Sequence, residues 1–161
     1  LRFATDGPRR WDDGVHTAWW DPPPPGGTLG DSCMTRVLVV HHDIDLADQE
    51  VDTLRRLGYE PVGCAGPAGS PCPVLRGEHC PDVHDADVLV YDVWSTTESG
   101  GGRSLIESLR EMHPETPIVL TAPGIELDWV ETEGPHKIIP LVGPPTAEKL
   151  DAAIKEALGT G

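Results

Sequence analysis

Positive charge is scarce in this chain of 161 residues: 12 Lys and Arg stand against 27 Asp and Glu, for a formal net charge of -15. A surface of that sign repels phosphate backbones, which argues against a nucleic-acid partner and suits solubility or a basic protein partner. Long apolar runs are missing too. Nothing approaches the roughly 20 consecutive residues a membrane span requires, and no basic-then-apolar signal opens the sequence, so a soluble cytoplasmic protein is expected. The chain contains no GxxxxGK[ST] phosphate loop, no GxGxxG fingerprint and no GxSxG nucleophile elbow. Gly100-Gly101-Gly102 precedes a helical stretch, where amides meet anions, but a triple glycine is also a common loop. Four cysteines are too few for a disulfide scaffold, and none forms a CxxC pair.

What is present falls into two parts. Residues 1–33 hold Trp11, Trp19 and Trp20, the run Pro22 to Pro25, and no helical or strand periodicity. Such a segment has no face to bury and is expected to be an extended or flexible leader, with a Trp-anchored partner peptide as the competing reading. Met34-Thr35-Arg36 stands directly before the first strong strand, so the domain is expected to occupy residues 34–161.

Within that domain the pattern is regular. Val37-Leu38-Val39-Val40 is apolar and β-branched, as a strand buried on both faces of a parallel sheet should be. Residues 45–57 carry Leu46, Val51, Leu54 and Leu57 at the spacing of one helical face, and Gly58 is a natural stop. Further strands are expected at 60–64, 88–91, 117–120 and 138–142. Helices are expected at 104–112, weakly at 125–133 around Trp129, and at 146–158 with Thr146 as cap. Residues 65–86 are rich in Cys, Pro and Gly and break the rhythm where a second helix would stand. Strands alternating with helices imply an α/β fold: a five-stranded parallel sheet covered on both faces, with any ligand at the carboxyl ends of the strands.

At those ends stand His41, His42 and Asp43 after the first strand and Asp92 after the third. Thr121 follows the fourth, and Gly143-Pro144 the fifth. This layout resembles the response-regulator receiver family of two-component signalling across residues 36–158. The resemblance implies flavodoxin-like topology with strand order 2-1-3-4-5. It assigns Asp92 the phosphoacceptor place and Thr121 the hydroxyl place, and it sets Gly143-Pro144 where the family has Lys-Pro. The family's acidic pair, which holds Mg²⁺, falls on His41 and His42, with Asp43 one residue beyond. Its aromatic switch falls on Pro140. Imidazole is a poor ligand for a hard ion, and without metal and lysine nothing neutralises a transferring phosphoryl group. The chain thus resembles a degenerate, stand-alone receiver, and no Mg²⁺ is expected.

Two constellations suit other metals. Cys64, Cys72 and Cys80, with His79 and His84 nearby, offer a Cys₃His zinc site or a seat for an iron–sulfur cluster. The bland alternative is a buried strand-end thiol and two loop thiols. His41, His42 and Asp92 offer imidazole and carboxylate, which suits Zn²⁺ better than Mg²⁺. Adjacent residues on a strand point to opposite sides, however, so both histidines join only if the chain has already turned.

The expected function is a non-enzymatic signalling or scaffolding domain. It binds another protein, or a second copy of itself, through the closing helix, the 125–133 segment and the fifth strand, and holds no cofactor. The alternatives are a phosphorylatable regulator using Asp92 and a metal- or redox-responsive regulator using Cys64, Cys72 and Cys80.

Overall fold

A computed structural model describes residues 34–68, 71–93, 102–122 and 137–160. The leader with its three tryptophans, and the expected helix around Trp129, lie outside the described residues. Five parallel strands form one sheet in the order β2-β1-β3-β4-β5. They are β1 (Arg36–Val40), β2 (Glu60–Cys64), β3 (Val88–Asp92), β4 (Ile118–Thr121) and β5 (Ile138–Leu141). The helices are α1 (Ile44–Arg56), α2 (Pro81–His84), α3 (Arg103–Met112) and α4 (Ala147–Leu158). The strand order is the one the resemblance implies. None of the described helices is long and apolar enough to cross a membrane.

Strand alternation splits the core into two layers. Leu38, Val40, Leu89, Tyr91 and Leu120 face α3 and its Leu105, Ile106 and Leu109. Val37, Val39, Val88, Val90 and Val119 face α1 and α4, meeting Val51, Leu54, Leu150 and Ile154. All five residues of β3 are buried, as expected of a central parallel strand. Each fully buried Leu or Ile here contributes roughly 1.5–3 kcal/mol relative to exposure. The two prolines found in strands, Pro61 in β2 and Pro140 in β5, both occupy outer strands, where a missing backbone N–H is tolerated.

The helix ends follow from their sequences. Asp43 caps α1, its carboxylate accepting from the Asp45 and Leu46 amides, and Arg55 and Arg56 complement the other end. Thr146 caps α4 as expected, accepting from the Lys149 amide. Gly102 begins α3 at φ +73°, and a Cβ there would run into the Tyr91 hydroxyl, so both backbone angle and space demand glycine.

Two expectations need correction. The inward face of α1 is not Leu46, Val51, Leu54 and Leu57. Val51 and Leu54 are buried with Glu50, while Leu46 and Leu57 are exposed. The irregular 65–86 segment does hold helix, but only in short turns: 3-10 turns at Gly66–Ala68 and Val74–Arg76, then the four-residue α2. Proline and glycine at close intervals prevent a longer run.

Candidate functional site

The site lies at the carboxyl ends of β1, β3 and β4. Asp92, the last residue of β3, is only 3% exposed. The chain leaves β1 at Val40 and bends at His42, so the two histidines do not diverge as on a continuous strand. Their rings stack nearly parallel, with centroids 5.1 Å apart and planes 14° apart. His42 Nδ1 lies 2.8 Å from Asp92 Oδ2. An ionised carboxylate only accepts, so Nδ1 carries the proton and donates it. His41 Nδ1 accepts from the Asp43 backbone N–H at 3.0 Å. A neutral His41 therefore carries its proton on Nε2, which lies 3.9 Å from the same Asp92 oxygen. Burial pushes the His41 imidazole below its ordinary value, an effect that the Asp92 charge opposes and His42 reinforces. The neutral ring is thus the favoured one, and two imidazole N–H groups face one buried carboxylate.

Behind this group is a cavity of about 290 Å³ whose walls include His41, Asp92, Thr121 and, from α1, Glu50. Glu50 is 7% exposed. Burial, with the neighbouring Asp92 charge second, raises its carboxyl to about 7. Sequence reading missed this residue. The available signal was its place four residues after Leu46 and four before Leu54, which puts it on the same helical stripe as a core leucine.

The remaining expected site residues do other things. The Asp43 carboxylate caps α1 through Oδ1 and does not join the ligand atoms gathered at Asp92. The Thr121 hydroxyl donates to the Tyr91 carbonyl at 3.3 Å. Gly143 has φ +82°, and its neighbour Pro144 accepts from the Thr146 amide. Lys149, one turn into α4, reaches back to this turn: its Nζ donates to the Val142 carbonyl at 3.0 Å and would lie 3.3 Å from a Cβ on Gly143. Sequence reading missed Lys149 as well, because nothing local to residue 143 signals an ammonium arriving from a helix.

The Mg²⁺ that the resemblance implies does not fit these residues. The donor set is one carboxylate and two imidazoles, whereas Mg²⁺ seeks an octahedral shell of carboxylate and water oxygens. Nor do Cys64, Cys72, Cys80, His79 and His84 assemble into a ligand set. Among the described residues, the group of His, Cys, Asp or Glu with three ligand atoms mutually within 4.8 Å is His41, His42 and Asp92. The three thiols instead line a separate apolar cavity of about 260 Å³ between Leu38, Val40 and Leu89 of the sheet and the 65–86 segment. Burial raises the Cys64 thiol, which disfavours the thiolate that metal binding needs. The His79 ring instead packs at a tilt against those of His84 and His113, at centroid distances of 5.0 and 4.7 Å. The segment is short of apolar stripe but rich in proline, and it closes over the sheet with its sulfurs inward as small apolar groups.

No family model matches this sequence, and no curated protein matches it. Solved structures do match in shape. The chemotaxis protein CheY4 of Vibrio cholerae is 22% identical, with 78% of this chain and 99% of that one covered, at a TM-score of 0.56. A response regulator receiver protein of Sinorhizobium medicae is 21% identical over 78% of this chain and 95% of the other, at 0.58. A CheY-like receiver domain protein of Methanospirillum hungatei is 20% identical over 78% and 94%, at 0.60. The described domain has the fold of a response-regulator receiver.

Proposed function

We propose that this chain is a receiver-fold signalling module that works by holding a protein partner, without conventional phosphorylation of Asp92. The observation that carries this reading is the state of Asp92: its buried carboxylate already accepts a proton donor from His42, with a second imidazole stacked alongside. Phosphoryl transfer to a carboxylate needs cations around the transferring group, because positioning and charge neutralisation supply nearly all the catalysis. Here the second carboxylate caps a helix, the strand-five lysine is Gly143, and the Lys149 ammonium is bound to a backbone carbonyl. The relay is absent as well. Pro140 stands where the family has its mobile aromatic, and the Thr121 hydroxyl is engaged with the Tyr91 carbonyl.

Such a domain acts as a fixed surface. The face proposed for docking is α4 with β5, where the outer side of α4 carries Glu148, Lys149, Lys155 and Glu156 and the loop beyond β5 exposes Val142 at 81%. This face combines mixed charge along the helix with an exposed apolar side chain at the loop tip. The net charge of -15 favours a partner of basic character.

The test is intact-mass spectrometry after incubation with Mg²⁺ and acetyl phosphate. No phosphoryl adduct is expected. An adduct that vanishes in Asp92→Asn would replace this reading with that of a phosphorylatable regulator.

A further inference from the structure

The mismatch with Mg²⁺ points elsewhere: we propose that His41, His42 and Asp92 form a binding site for a borderline divalent transition ion, Zn²⁺ foremost. The site is independent of whether the domain docks a protein. Imidazole nitrogen and carboxylate oxygen together are the donors such ions select, and a two-histidine, one-carboxylate set is a recurrent way to hold zinc with a coordination position left open.

The distances favour it. A tetrahedral ion with bonds of about 2.0–2.1 Å sets its ligand atoms about 3.3 Å apart. Asp92 Oδ2 stands 2.8 Å from His42 Nδ1 and 3.9 Å from His41 Nε2, so the two separations straddle that value. Closing the difference takes about half an ångström on each side. The side chains divide the work. Asp92 and His41 are anchored, with side chains 3% and 9% exposed, while His42 is 42% exposed and has room to tilt. Both histidines lie where the chain turns after β1, and their rings stack against each other beside Asp92.

Protons rearrange without leaving the site. At His42 the ion takes the place of the Nδ1 proton now shared with Asp92, and the ring is reprotonated at Nε2. At His41 the ion takes Nε2 and the proton moves to Nδ1, so that nitrogen no longer accepts from the Asp43 amide. With a proton on Nδ1 two donors would face each other, so the local cost of binding is that lost hydrogen bond together with a small retreat of the Asp43 amide, which becomes a reporter of occupancy. Two of the three ligands, His41 and Asp92, line the cavity that also holds Glu50 and Thr121, and water or a partner's carboxylate would complete the shell.

The experiment is calorimetric titration of the full chain, under reducing conditions, with Zn²⁺, with Mg²⁺, and with Zn²⁺ in excess Mg²⁺. It is paired with amide NMR and with Co²⁺ absorption as a probe of coordination. The expected result is one Zn²⁺ per chain, undisturbed by Mg²⁺, with imidazole-type visible bands from Co²⁺ and a shift of the Asp43 amide. His42→Ala and Asp92→Asn should each weaken binding by about tenfold or more. A chain carrying Cys64→Ser, Cys72→Ser and Cys80→Ser, and another carrying His79→Ala and His84→Ala, should bind as the parent does. His42 is exposed enough that its replacement leaves the fold intact. Should Asp92→Asn fail to fold, the Asp43 amide of the parent chain still decides. No zinc binding, binding that survives His42→Ala, binding lost with the cysteines or with His79 and His84, or an Asp43 amide unmoved at saturation each overturns the proposal.

Discussion

Glu50→Gln should make this protein more stable above neutral pH and leave it nearly unchanged in mild acid. In the folded chain the Glu50 carboxyl is raised from 4.5 to about 7, first by burial and then by the Asp92 charge. The unfolded chain therefore ionises Glu50 about 2.5 pH units earlier than the folded chain does. The stability this residue allows is fully present below 4.5 and is lost as pH rises through 7. At about 1.4 kcal/mol per pH unit, the loss has a ceiling of about 3 kcal/mol. Glu50 borders a cavity large enough for water, so a gain of about 1–3 kcal/mol for the glutamine variant at pH 8 is the working figure. His41 acts with the opposite sign: its depressed value means stability is lost as pH falls below 6.5, so variant and parent must be compared at each pH. Urea unfolding of both chains at about pH 5, 6, 7 and 8, with m-values checked for constancy, gives the difference directly. A curve that rises with pH supports the buried acid, and the rise should shrink in an Asp92→Asn background. A glutamine variant that is less stable at pH 8, or a difference indifferent to pH, would refute the reasoning.

Gly102→Ala should destabilise by about 2–4 kcal/mol, from a left-handed backbone angle and from collision with the Tyr91 hydroxyl. Combining it with Tyr91→Phe should recover part of that loss in thermal unfolding, and no recovery would place the whole cost on the backbone angle. Leu54→Ala, at a residue with no exposed surface between α1 and the sheet, should cost about 2–5 kcal/mol in urea unfolding. Leu57→Ala, three residues on and 39% exposed, should cost under about 1 kcal/mol.

Much of the architecture was legible because parallel strands buried on both faces leave continuous β-branched runs, and Val37 to Val40 and Val88 to Tyr91 are such runs. Asp92 was singled out by the resemblance to receivers, and the structure places it at the carboxyl end of the central strand. The face of α1 was read less well. Leucine spacing alone placed Leu46 and Leu57 inside, but the helix meets the sheet through Glu50, Val51 and Leu54, because the cavity at its first turn leaves Leu46 on the rim. The convergence of His41 and His42 hung on where β1 ends, and a boundary of one residue is beyond what periodicity resolves. The cysteines misled in a different way. Their even spacing suggested a ligand set, yet proline-rich turns bring the sulfurs to one apolar cavity and not to one point. Lys149 was invisible because its contact depends on how α4 returns over the sheet.

The prolines of the two outer strands bear on how the molecule keeps company with its own kind. In β2, the backbone groups of Glu60 and Cys64 bond inward to the β1 side, which turns Pro61 toward the open edge. In β5, Lys137 bonds inward to Ile118, which turns Pro140 outward in the same way. Each flank of the sheet thus offers an incoming chain a broken ladder, lacking a donor at its middle rungs. Five strands are a terminated array. Stacking flank to flank into a ribbon, the ordinary hazard of an open sheet edge, is hindered at both outer strands by these prolines.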